Sequence, residues 1–191
     1  MPRQKPLKNE AIGTFEAAAV MGLHFTRPKR MADSGVISMR QIGSAGEAVF
    51  AVYSAKECDE NFREYEENYE SRKRSGEQGG RPRTMVHERQ PAIDRLTDPK
   101  KPQIAFEDAI STNEAAEVLG VYPTRVARIA NEGKIVGRVL WSERGGRSRL
   151  WIFSRASCEK HAAEIKKLEA SGQKLGRPRN AAAKTKKKIA S

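Results

Sequence analysis

Two stretches of this chain place paired guanidinium groups on a stiff, slender backbone: Gly80-Arg81-Pro82-Arg83 and Gly176-Arg177-Pro178-Arg179. A guanidinium is permanently charged and carries five N–H donors in a fixed fork. Glycine lets the backbone lie close to whatever it contacts, and proline holds the chain extended. Two arginines so mounted suit a narrow groove with a strong negative potential, such as the minor groove of A·T-rich DNA. One such stretch in a basic chain reads as a solvated linker. Two, 96 positions apart and each following a charged, helix-like run, raise a second reading: the end of a repeated unit.

Other residue types that do chemistry are scarce. The chain has no P-loop, no HExxH and no GxSxG, and its histidines, His24, His87 and His161, are scattered. Its two cysteines, Cys58 and Cys158, are too few and too far apart for a zinc motif or a disulfide framework, and read as small buried hydrophobes. The expectation is a protein that is not an enzyme and holds no metal, cofactor or small-molecule effector.

A net charge of +12 over 191 residues favours a polyanionic partner, nucleic acid before an anionic membrane surface. No apolar run approaches the roughly 18 residues of a membrane span, and the basic N-terminus lacks the apolar core of a secretory signal. A cytoplasmic, nucleoid-associated location follows as an expectation.

The elements that carry the arginines come from a duplication. Ile12 to Ile37, "IGTFEAAAVMGLHFTRPKRMADSGVI", aligns without gaps to Ile110 to Ile135, "ISTNEAAEVLGVYPTRVARIANEGKI", with 13 of 26 positions identical. Beyond this the second copy is two residues longer between Ile135 and Phe153, a step by which a hairpin loop lengthens while its strands keep their faces. The helix after Cys58 is four residues longer than the one after Cys158, about one turn.

Within a unit, Thr112 is expected to cap a short helix that carries Glu114 in its first turn and stops at Gly120. Pro123 opens a second helix, with Val126, Ile129 and Ala130 on one face and Arg125 and Arg128 on another. Helix, glycine turn and basic helix make a helix-turn-helix. Next, "KIVGRVLWSERGGRSRLWIFS" reads as a β-hairpin with Arg144, Arg147 and Arg149 about its tip. A third helix follows, capped by Ser54 or Ser154; "SAKE" has the capping-box form, Ser54 with Glu57. Its seven acids between Glu57 and Glu70 read as a solvated face, with docking of a basic arm as the sharper alternative.

These residues resemble the winged helix-turn-helix of MerR-type regulators and of phage or plasmid excisionases, over 110–170 and more loosely 12–75. The resemblance implies a second helix in the major groove, carrying Thr124, Arg125 and Arg128, and in the first copy Thr26, Arg27 and Arg30. It implies a wing with Arg144, Arg147 and Arg149 on the flanking backbone or minor groove. The Gly-Arg-Pro-Arg stretches look like AT-hook cores and like the minor-groove arms of Hin-type invertases, which adds Arg81, Arg83, Arg177 and Arg179. Two departures stand out. There is no long dimerisation helix or effector domain, and Pro28 stands where the second copy has Val126, so that first-copy helix must start late, capped by Thr26.

The expected fold class is α+β: two small winged helix-turn-helix domains, 11–75 and 109–171, joined by a Pro-containing linker, 84–108. Arms occupy 76–83 and 172–191, the latter ending in a lysine-rich tail, and a basic, disordered segment occupies 1–10. A flexible linker of that length spans about 25–30 Å, enough to set the units on adjacent turns of DNA. The leading function is a double-stranded DNA-binding protein, a transcriptional regulator of a bacterium, phage or plasmid, with an A·T-rich target and self-association along DNA. The alternatives are an architectural factor that bends or coats DNA, and a phage small terminase subunit.

Overall fold

The computed structural model describes residues 6–43, 49–74, 86–140 and 150–171, in a mixture of helix and strand. The first copy runs β1 (Ala11–Gly13), α1 (Thr14–Met21), α2 (Arg27–Asp33), β2 (Met39–Ile42), β3 (Phe50–Ser54) and α3 (Ala55–Arg74). A 3-10 turn at Val86–Glu88 leads into α4 (Arg89–Thr97). After a second 3-10 turn, Phe106–Asp108, the same order returns: β4 (Ala109–Ile110), α5 (Thr112–Leu119), α6 (Pro123–Asn131), β5 (Gly137–Val139), β6 (Trp151–Ser154) and α7 (Arg155–Ala170).

The duplication read in the sequence is a duplication of structure. Each copy forms an antiparallel three-stranded sheet with its last strand in the middle, β1-β3-β2 and β4-β6-β5. The registers correspond, Ala11 opposite Ser54 as Ala109 is opposite Ser154, and Arg40 opposite Val52 as Arg138 is opposite Ile152. Gly22 and Gly120 end α1 and α5 at φ 63° and 64°, a left-handed conformation that only glycine adopts without strain.

Capping differs from the sequence expectation by one residue. Ser111, not Thr112, caps α5: its Oγ accepts the Glu114 N–H at 3.2 Å, and Glu114 reaches back to the Ser111 N–H at 2.8 Å. Ser54 does cap α3, accepting the Glu57 N–H, but the Glu57 carboxylate goes to the Ser38 N–H. In the second copy Ser157 Oγ accepts the corresponding N–H, that of Val136, at 2.9 Å.

Residues 86–108 correct the expectation of a flexible linker over 84–108. Three turns of weak periodicity hide a helix, α4, that buries Ala92, Ile93 and Leu96 in the first-copy core beside Ala19, Val20 and Met21. Arg89 fixes its start: Nη2 donates to Asp59 Oδ1 at 2.6 Å, Nη1 donates to the Val20 carbonyl, and the guanidinium lies 4.0 Å from the Phe62 ring centre. Asp59 also pairs with Arg63 and accepts the Leu7 N–H, so this acid, expected on a solvated face, is 1% exposed. The cover is one-sided. Where the first copy has Ala19 buried, the second has Glu117 exposed.

The two copies pack on each other through their sheets. Strand alternation sends Ile12 and Tyr53 into the first helical core, and Ile110 and Phe153 into the second. The opposite faces, Ala11, Ile42 and Val52 from one copy and Ala109, Leu140 and Ile152 from the other, share a third core with Ile104 and Phe106. Backbone pairing seals it: Ala11 N–H donates to Ile104 at 2.9 Å and Phe106 N–H to Asn9 at 3.0 Å, around an antiparallel bridge between Glu10 and Ala105. Arg138 reaches across to Glu16 and to the Ala11 carbonyl, and its counterpart Arg40 reaches the Phe106 carbonyl at 2.6 Å.

Candidate nucleic-acid interface

α2 and α6 are each held by one buried side chain at the same aligned position of a short basic helix. In α6 it is Val126, fully buried, with Ile129 and Ala130 partly buried beside it. In α2 the same place is taken by Pro28, also buried. Proline is tolerated because the helix begins at Arg27 with Thr26 as its cap residue, which leaves Pro28 in the first turn where no intrahelical N–H is lost. α2 thus starts two positions later than α6, the late start expected from the sequence. Thr26 caps by backbone position alone; its hydroxyl pairs with His24 Nδ1 at 3.0 Å.

With this buried residue turned inward, the flanking cationic residues turn out. Thr26, Arg27 and Arg30 are exposed on α2, and Thr124, Arg125 and Arg128 on α6. Neither helix has an acid in its first turn, so nothing there neutralises the positive helix end. Both ends therefore favour an anion.

Arg128 is not idle: its Nε donates to Glu132 Oε1 at 3.0 Å while Lys134 donates to Oε2 at 2.7 Å. These two donors, Lys134 first, hold the Glu132 carboxyl below the usual carboxylate range. Sequence reading missed two surface residues here. Tyr122, the residue before α6, is 78% exposed, with a large apolar ring and a hydroxyl offered to solvent. Lys29 adds a third exposed cation to α2. A cation-by-cation reading of the aligned repeat finds Lys29; Tyr122 has no comparable signal, since an aromatic beside Pro123 reads equally as core.

The remaining expected contacts, Arg81, Arg83, Arg144, Arg147, Arg149, Arg177 and Arg179, lie outside the described residues. The strands that lead to the second hairpin tip are described, and β5 and β6 pair through Arg138 opposite Ile152 and Val139 opposite Trp151.

Other chemistry finds little support. Cys58 and Cys158 are both buried, and burial pushes both thiols up, Cys158 to about 11, so neither is a thiolate at neutral pH. Among the described residues no three His, Cys, Asp or Glu side chains converge as a metal site, and no helix is long and apolar enough to cross a membrane. A cavity of about 690 Å³ beside Phe62, Tyr65 and Tyr69 is edged by Glu66, Glu67 and Glu70, the wrong charge for a polyanion. No protein-family model matches the chain, and no curated protein matches it either.

Proposed function

We propose that this chain binds double-stranded DNA as a transcriptional regulator of a bacterium, phage or plasmid. The units act as winged helix-turn-helix modules. α2 and α6 lie in the major groove, and the Gly-Arg-Pro-Arg arms lie in A·T-rich minor groove. One observation carries the reading. Two helices whose copies have diverged at half of their aligned positions expose Thr, Arg and Arg at equivalent places, 26, 27 and 30 against 124, 125 and 128. Packing does not require this pattern, because only Pro28 and Val126 are fully buried from these helices. A groove-reading helix would use it: the arginine fork matches the O6 and N7 acceptors of guanine, and threonine serves a methyl or an acceptor.

The test is selection of bound duplexes from a random-sequence library, then footprinting of the winner at near-physiological salt. A discrete motif with A·T flanks and a footprint of one or two helical turns supports the regulator. An A·T bias alone, with a footprint that grows with protein concentration, replaces it with a coating or architectural role. No retention of any duplex at near-physiological salt overturns DNA binding.

A further inference from the structure

Taking the DNA-binding reading as its basis, we infer that one chain is an internal two-fold dimer that recognises a single duplex site built from two inverted half-sites at fixed spacing. Flexible tandem modules would read direct or variably spaced half-sites instead.

Three contacts between the copies approximate the form that a two-fold axis generates, in which the same surface is used twice. The first is the backbone pairing. Subtracting the 98-residue repeat offset from second-copy numbers, the bonded pairs Glu10 with Ala105, Ala11 with Ile104 and Asn9 with Phe106 become 10 with 7, 11 with 6 and 9 with 8. These antiparallel pairs share one centre, between positions 8 and 9, and lie on one side of it; on the other side the Leu7 N–H donates to Asp59. The second is the shared core, which holds both members of three equivalent pairs: Ala11 and Ala109, Val52 and Ile152, Ile42 and Leu140. The third is looser. Arg40 and Arg138 occupy the same place in β2 and β5, and each donates to a carbonyl of the other copy, Phe106 and Ala11 respectively, three positions apart in the repeat, with Arg138 also meeting the Glu16 carboxylate. A head-to-tail contact would join two different surfaces and would not bury the same three positions of both copies in one core.

The relation is also fixed. The contact is a buried apolar core closed by backbone hydrogen bonds and by the Arg138–Glu16 ion pair, whose side chains are 11% and 10% exposed. α4 and Arg89 hold the connecting segment to the first copy, which leaves little slack for the copies to re-space. Two recognition helices related by a two-fold axis and presented to one duplex see its strands in opposite sense, as the half-sites of a palindrome do.

The experiment uses the full chain and the duplex enriched by the selection above. Stoichiometry is read by native mass spectrometry, and affinity is read on duplexes with base pairs inserted at the centre. The expected result is one chain per duplex, half-sites in inverted order, and binding weakened about tenfold or more by five inserted base pairs, which rotate one half-site to the opposite face of the helix. Half-sites in direct order, affinity that tolerates the insertion, or two chains on one duplex would each overturn the inference while leaving DNA binding intact. If no duplex is retained, the DNA reading fails, and this inference with it; duplexes retained without any sequence enrichment would overturn the inference alone.

Discussion

Arg138 and Glu16 join the two copies across 122 residues of chain: Nη1 donates to Oε1 at 2.8 Å and Nη2 to Oε2 at 3.2 Å, with both side chains about nine-tenths buried. Replacing one partner strands the other charge without water. Arg138→Met is expected to cost about 3 kcal/mol, and Arg138→Met with Glu16→Gln should recover part of it. Denaturant unfolding of both variants measures this, and equal losses would show that the pair contributes through packing alone.

The clasp on α4 makes a second prediction. Asp59→Ala leaves Arg89 beside Phe62 and the Val20 carbonyl with its carboxylate partner gone, at a cost of about 3 kcal/mol. Hydrogen exchange should accelerate first in 89–97. Uniform acceleration over the whole chain would mean that α4 is integral to the global fold.

Arg27→Ala and Arg125→Ala test which copy reads bases. Each is expected to relax preference within one half-site, worth about 1–3 kcal/mol. A uniform drop across all sequences would instead assign that arginine to phosphate.

Glu132 pairs with Arg128 and Lys134, and under the proposed function it would compete with phosphate for both. Glu132→Gln should tighten binding to the selected duplex about two- to fivefold at low salt, with the gain fading as salt rises, while Tm stays unchanged. Acid should mimic the substitution: the carboxyl sits below its ordinary range, so the pairing persists at neutral pH and is lost as pH falls through that lowered value. Weaker binding would mean that Glu132 positions Arg128 for the groove.

Glu10 lies 8% exposed at the bridge between the copies, and burial raises its carboxyl above the ordinary range against the opposing pull of Arg138 and Lys8. A raised acid favours the fold while protonated, so its contribution is full in acid and fades as pH climbs through the raised value. Glu10→Gln should raise Tm by about 2 °C at neutral pH, with the gap closing below pH ~4. A gap that persists in acid would assign the effect to packing.

The repeat, its turns and its exposed arginines were legible because they are local: glycine at a left-handed cap, one apolar residue per helix face, serine before a helix. What stayed hidden was cooperative between the copies. Ala51-Val52-Tyr53 and Trp151-Ile152-Phe153 are apolar on both faces of a short strand, the signature of burial from two sides, yet they read equally as one hairpin with a ragged face. α4 was missed because prolines at 91, 99 and 102 suggested an extended chain; Pro91 falls in the first turn of the helix, where it costs nothing.

Joining the copies in one chain has a consequence at Gly13. Its counterpart Ser111 caps α5 with a hydroxyl; Gly13 lies against the seam, where an added Cβ would meet Leu140 of the other copy at an ordinary contact distance of 3.4 Å, and its N–H donates to the Glu16 carboxylate without a hydroxyl cap. In a dimer of identical chains every substitution appears twice and must suit both environments. Here each half mutates alone, so Gly13 can stand where its twin is the capping Ser111, and Pro28 where its twin is Val126. Under the proposed function, the same freedom would let the two half-sites of a target drift apart in sequence, one base at a time, with the protein following on one side only.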